Sequence, residues 1–459
     1  MDVPPKESRI WRIFPARYVF SLLGSIGFAI VYGLKVNLSV AMVGMLNHTA
    51  LKQAAEADSV LRKTENLTLP MEENCFTASE LSDNPELDGP FVWSSDVQGI
   101  VLSCYFWGYF VSQLPGGRIA ELYSAKWVMF FSVFINVVCT LLTPLMCKVH
   151  YSAAVVMRVG EGIGGGMTFP AMHTLLSKWA PPAERSFMSS VTYAGTSLGT
   201  VISILMAGML TATVGWESVF YVMGGLSLIW CGLWVVFVQD TPQQQKFMTN
   251  EERIMITTAL QNTGDQTKKP KLPVPWRSVL TSAPFLAILV AHVCSNIGWY
   301  MLLIELPFYM KQILKFNMKE NALAVSLPFL SLWFFSMGLS STLDWLRAKS
   351  VITTTCARKI GTLIGTLVAL TNTVATIPGI LVPIFVGYVT DGNQTISAWR
   401  QIFLLSVGAY VVEIITFTCF GSGEEQPWNK PDAARNRMID AESEGRSEGL
   451  LKDKATSGS

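Results

Sequence analysis

The sequence predicts an all-α polytopic protein that crosses a bilayer about ten times. Three observations predict it. Half of the 459 residues are apolar and only 15% are charged, against roughly 25% in an ordinary soluble domain. Ten stretches are long and apolar enough to cover roughly 30 Å of hydrocarbon, which takes about 20 residues of helix. The positive charges, finally, gather on one side of the topology those stretches define. Other classes are disfavoured on the same figures. The mean hydropathy of +0.38, with 25 Phe and 14 Trp, excludes a disordered chain. Lys plus Arg (34) balances Asp plus Glu (33), so the basic face that nucleic acid requires is missing. Four histidines without a close Cys/His cluster give no metal site. No nucleophile–base set or phosphate-cradling loop points to an enzyme, and no cofactor is implied.

Residues 1–17 are polar and basic and lead into the first apolar stretch, 18–46, with no small-residue cleavage site; they read as an uncleaved anchor. Five more stretches follow at 97–119, 127–146, 152–176, 187–210 and 219–238, and four at 285–307, 322–343, 360–389 and 402–420. The polar segment 239–282, with Pro242, Pro270, Pro273 and Pro275, divides six spans from four. The domains are therefore an N-terminal bundle (1–238), a cytosolic linker (239–282), a second bundle (283–421) and a disordered cytosolic tail (422–459). With the N-terminus in the cytosol, cytosolic segments hold 24 of the 34 Lys and Arg, which puts both termini inside. Loop 47–96 then lies outside and carries two glycosylation sequons, at Asn47 and Asn66, and a third at Asn393 also falls outside. Cys75 alone sits in that loop, so no disulfide is predicted.

The two halves share an imperfect repeat. Gly117-x3-Glu121-x4-Lys126 follows the second span and Ser340-x3-Asp344-x4-Lys349 the eighth, in equivalent cytosolic loops. Acid and lysine are expected to cross-link helix ends there and hold one conformational state.

At this point several segments carry a resemblance. They include Leu34-Lys35-Val36-Asn37-Leu38-Ser39, Phe106-Trp107-Gly108-Tyr109, Gln113-Leu114-Pro115-Gly116-Gly117 and Phe169-Pro170-Ala171-Met172-His173. Trp179-Ala180-Pro181-Pro182, Glu184-Arg185-Ser186, Thr371-Asn372-Thr373 and Phe420-Gly421-Ser422-Gly423-Glu424 continue it. Together these resemble the anion:cation symporter family of the major facilitator superfamily, its sialin-like branch most closely, with phosphate cotransporters and vesicular glutamate transporters as further members. The resemblance implies a two-bundle fold of twelve spans, six per half. This chain shows ten: Arg358–Gly365 resembles the start of the ninth family helix, and Thr366–Asn372 already the eleventh. About two helices, roughly 50 residues, are absent from the second bundle. A splice form or faulty gene model of a longer transporter would explain the gap.

Charges inside a bilayer are costly and mark function. Phe28, Tyr32, Lys35 and Ser39 share one stripe of the first span, and Arg158, Glu161 and Gly165 one face of the fourth. Lys35 and Arg158 offer two cations to a small anionic solute between the halves; alternatively, Arg158 pairs with Glu161 and only stabilises its helix. Glu161 is the candidate proton carrier. Sialin-like relatives have a second acid four residues on, where this chain has Gly165. His173 could assist or serve as a helix-end hydrogen-bond donor. Asn296 and Tyr300 share a face of the seventh span and are candidate substrate hydrogen-bonders, or core packing; Tyr105 and Tyr109 could reach the cavity. Glu305 is expected as a water-facing gate residue, and Glu413 has no partner to name. The function expected is proton-coupled transport of small organic anions, sialic acid or another acidic sugar or amino acid. The alternatives are sodium-dependent inorganic phosphate cotransport and a non-transporting truncated isoform. The membrane is lysosomal, vesicular or plasma; Arg446 stands where a dileucine signal at Leu450-Leu451 would need an acid.

Overall fold

The computed structural model describes residues 15–47, 49–51, 53, 88–181, 184–263, 277, 280–348, 368–391 and 395–420. Asn66, Asn393, Lys349, most of loop 47–96, much of the linker and the tail lie outside the described residues, as does the side chain of Asp344. So does the junction between the segments that resemble the ninth and eleventh family helices.

Every regular element among the described residues is helical, the form in which a chain satisfies its own backbone in hydrocarbon. The first six long helices are α1 (Ala16–Met45), α2 (Ser95–Leu122), α3 (Ala125–Val149), α4 (Tyr151–Trp179), α5 (Arg185–Thr213) and α6 (Trp216–Phe237). A short polar helix, α7 (Asn250–Thr263), follows. Then come α8 (Ala283–Tyr300), a π turn (Met301–Glu305), α9 (Leu306–Gln312), α10 (Met318–Ala348), α11 (Val368–Ala375), α12 (Ile377–Thr390) and α13 (Ile396–Phe420). Among the described residues, seven rods are long and apolar enough to cross a membrane: α1, α3, α5, α6, the α8–α9 rod, α11–α12 from Asn372, and α13. Helices α2, α4 and α10 are as long but more polar, carrying charges such as Arg118, Glu121, Arg158, Glu161 and Lys319.

Prolines punctuate the second half. Pro307 lacks an N–H and its ring crowds the carbonyl a turn earlier, so the rod rewinds through the π turn immediately before α9. Pro378 restarts the helix as α12 after the break at Thr376.

Packing is tightest where glycine removes the side chain. Helices α2 and α4 approach so closely that a Cβ on Gly162 would strike the Tyr105 carbonyl, and one on Gly108 the Val159 carbonyl. Gly199 of α5 sits against the backbone of Ala29 in α1 in the same way. The later helices dock on the earlier ones through α5–α10 and α2–α12. There Gly208 meets Ala322, Gly99 meets the Pro383 carbonyl at 2.6 Å from an added Cβ, and Gly387 meets Ser95. These contacts lie at the end of the molecule where Leu46 pairs with Phe91, away from Arg17.

Candidate functional site: a buried lysine among rings

Lys35 is carried into the interior by α1, a helix buried on most of its faces. Its side chain is 7% exposed, yet no carboxylate pairs with it among the described residues. Aromatic rings surround it instead. The ammonium lies 5.1 Å from the Tyr32 ring centroid, 5.6 Å from Tyr105, 4.6 Å from Phe106, 5.5 Å from Tyr109 and 4.8 Å from Tyr300. Those rings come from α1, α2 and α8. The i, i+1, i+4 spacing of Tyr105, Phe106 and Tyr109 brings all three to one side of α2. Ring faces attract a cation through their quadrupoles without cancelling its charge. An ammonium in this cage keeps its positive field, because the rings supply no counter-charge.

Arg158 stands beside it. Its Nη1 donates to the Leu34 carbonyl at 3.3 Å and its Nη2 to the Lys35 carbonyl at 3.0 Å, which ties α4 to α1. The same Nη1 forms an ion pair with Glu161 one turn along α4, and the guanidinium lies 5.2 Å from the Tyr105 centroid. Glu161 is fully buried and accepts from Thr140 at 3.1 Å and Thr143 at 3.4 Å, both on α3. Arg158 is thus paired with Glu161 and also lines the same cavity as Lys35. That cavity, about 10 Å³, is also bounded by Val36, Ser39, Phe106 and Leu303. Two cations and one anion leave the cavity a net positive charge.

Gly165 explains one departure from the sialin-like pattern. A Cβ there would collide with the Tyr105 hydroxyl, which itself has no hydrogen-bond partner among the described residues. Tyr105 occupies the space a second acid would need.

The other expected residues divide. Tyr300 joins the cluster, packing edge-on against Phe106 at 4.7 Å. Asn296 turns away, donating to the Ala375 carbonyl of α11 at 2.8 Å. His173 lies three turns along α4 from Glu161, about 18 Å at 1.5 Å per residue. It is exposed, with Nδ1 3.0 Å from the Tyr193 hydroxyl, apart from the Lys35 cluster. Glu305, expected to face water, is 4% exposed, because the π turn delivers it between α2 and α12. The expected Glu121–Lys126 link is not formed. Exposed Glu121 pairs with Arg118 of its own helix at 2.8 Å. Lys126 is buried and donates to the Val235 carbonyl and Gln239 Oε1, both at 3.1 Å, fastening the start of α3 to the end of α6. Among the described residues, ion pairs that join separate elements at this end run from Arg17 to Glu184 (2.8 Å) and Glu252 (3.1 Å). Asn47 is half-buried, its Oδ1 accepting from the Ala50 N–H at 2.8 Å.

Sequence reasoning passed over Phe106, Asn372, Thr140 and Thr143. Asn372 donates to the Tyr109 hydroxyl at 3.4 Å and so links α11 to the cluster. Phe106 and Asn372 stood in the motifs that carried the resemblance, but nothing local assigned them a role.

Comparison with known proteins agrees with this arrangement of helices. The family model described as Major Facilitator Superfamily matches residues 19–371. Human sialin is 34% identical over 465 aligned positions, covering 90% of this chain and 90% of the relative. A putative inorganic phosphate cotransporter of Drosophila melanogaster is 31% identical over 93% of this chain and 88% of its own length. Among solved structures, a D-xylose–proton symporter superposes with a TM-score of 0.55 at 11% identity, covering 91% of this chain and all of that one, a likeness of fold alone. On these matches the chain belongs to the Major Facilitator Superfamily, integral membrane transporters rather than enzymes.

Proposed function

We propose that this protein is a proton-coupled secondary transporter of small organic anions, with sialic acid or another acidic sugar or amino acid as substrate. The observation that carries the reading is the Lys35 ammonium, buried among five rings and without a carboxylate partner among the described residues. A buried cation held by rings is poised for the charge-assisted hydrogen bonds that a carboxylate accepts. Arg158 reinforces the field, and Tyr300 brings the later helices to the same point. At about 10 Å³ the cavity is too small for an organic anion. Loading therefore requires the two halves to part, which is alternating access. In this reading the chain crosses the membrane ten times with both termini in the cytosol, and Asn47 and Asn66 carry glycans on the other face. Similarity to sialin supports the substrate class.

The test is uptake of labelled sialic acid into reconstituted vesicles under a pH gradient. Lys35→Met should abolish uptake with the protein still inserted at wild-type abundance, and Lys35→Arg should retain part of it. Uptake by Lys35→Met with unchanged apparent affinity would place the anion elsewhere.

Similarity to the phosphate cotransporter favours a second reading, sodium-dependent phosphate transport, which sodium-driven uptake of labelled phosphate would reveal. A third is a truncated, non-transporting form. The match to sialin uses 465 positions for 90% of a 459-residue chain, so several dozen positions of the alignment have no counterpart here. Correct insertion without uptake of either solute would favour that reading.

A further inference from the structure

Glu305 closes the π turn at the junction of α8 and α9, and only 4% of it is exposed. Its Oε1 has no hydrogen-bond partner among the described residues. It lines a second cavity, of about 20 Å³, with Ser95 and Gln98 of α2, Gln312 of α9 and Thr390 of α12. That is room for one water. Leu102 lines both this cavity and the Lys35 cavity, so the two are neighbouring chambers with a common apolar wall residue.

Among the described residues, no other charged side chain lines the Glu305 chamber. On the elements packed around it, Asp96 of α2, Lys311 of α9, Asp391 beyond α12 and Arg400 of α13 stand outside its wall. Lys35 and Arg158 line the neighbouring chamber and not this one. Two polar neighbours have hydrogens engaged elsewhere. Gln98 Nε2 gives one of its two to the Trp93 carbonyl at 2.9 Å, with its carbonyl oxygen still able to accept, and Thr390 Oγ1 gives its single one to the Val386 carbonyl at 2.8 Å. The Gln98 carbonyl and the Thr390 hydroxyl oxygen can accept from a carboxylic O–H, and among the described lining residues no cation balances a bare carboxylate. Glu161 differs: it accepts from Arg158, Thr140 and Thr143.

We propose that Glu305, rather than Glu161, is the proton-carrying group of the transport cycle. The proposal rests on the transport reading above. When the halves part on one side, the carboxylate takes a proton from water. It carries that proton as an O–H facing Gln98 and Thr390, then returns it to water on the other side. No other bond changes. Neutral Glu305 also leaves the positive field of Lys35 and Arg158 undiminished in the neighbouring chamber, so proton and anion bind together.

Infrared difference spectroscopy on the purified full chain in lipid nanodiscs, across a pH titration, tests it without transport. A titrating buried carboxylic C=O band is expected in the wild type, lost in Glu305→Gln and returned at a shifted position in Glu305→Asp. A band unchanged in Glu305→Gln, or one removed by sodium chloride and not by choline chloride, overturns the assignment. In vesicles with labelled sialic acid, Glu305→Gln should keep exchange at equal pH and lose gradient-driven accumulation. Accumulation equal to wild type also overturns it. A wild-type protein that moves no sialic acid counts against the transport reading alone, because the infrared titration then decides Glu305.

Discussion

Arg158 has two duties that a substitution can separate. It ties α4 to α1 through two carbonyls, and it neutralises Glu161 in a fully buried position. Removing one partner of a buried ion pair strands the other charge, at a cost of about 3–5 kcal/mol. Arg158→Ala should therefore lower the thermal midpoint of the purified protein as well as transport. Adding Glu161→Gln should recover much of the midpoint without recovering uptake, and a double variant no more stable than the single one would contradict the pairing. Loss of uptake in Arg158→Ala alone is thus a weaker test of the anion site than loss in Lys35→Met, since among the described residues Lys35 has no carboxylate to strand. The candidates at 35, 158 and 161 were legible because a charged residue inside an apolar run stands out in one dimension. Tyr32, Tyr105, Tyr109 and Tyr300 were among the candidates, but their convergence with Phe106 on one ammonium was not legible. An aromatic residue in a span has the same local signature whether it faces lipid or a lysine.

At the scale of elements, the glycine run of α4 does its work through the backbone. Gly162 lies against the Tyr105 carbonyl, so α2 and α4 are separated by main chain alone. Gly162→Leu should push α2 away and carry Tyr105, Phe106 and Tyr109 off the ammonium. The expected result is a large drop in folded, detergent-stable protein by fluorescence-detected size exclusion, since overpacking of well-packed cores costs about 1–3 kcal/mol before any rearrangement. Wild-type abundance would refute the close approach. Gly225, where an added Cβ meets nothing within 4 Å, supplies the control. The glycines themselves were evident in the sequence as helix-contact residues, but their neighbours were not. The Pro307 rewinding shows the same division. Proline announces a disturbance, while only the packed rod shows that it is absorbed as a π turn that swings Glu305 inward.

For the whole molecule, the contacts of α10 with α5 and of α12 with α2 seal the end opposite Arg17. Alternating access requires that seal to open. Gly208 and Ala322 touch across it, and a Cβ added at 208 would lie 2.2 Å from the Ala322 Cβ. Gly208→Val should therefore wedge the seam and lose most uptake, while Gly225→Val, where an added Cβ meets nothing within 4 Å, should not. Full uptake by Gly208→Val would show that this seam need not close. At the other end Arg17 holds Glu184 and Glu252, joining α1, the start of α5 and the polar helix α7. Sequence reasoning looked for that link in Glu121 and Lys126, because the repeat drew attention to them; the partners that meet are more than 160 residues apart in the chain.

The sequence by itself determined that this is a helical membrane protein, roughly where its helices run, its superfamily, and which charges are out of place in a bilayer. These follow from local properties: a segment in hydrocarbon must satisfy its own backbone, so length and hydropathy suffice to find it. Only the tertiary structure decided which side chains share a chamber, that Lys35 is caged by rings, that Tyr105 fills the space beside Gly165, and that Glu305 is buried. Those depend on the rotation and approach of helices from distant parts of the chain, set by packing between surfaces rather than by any one segment.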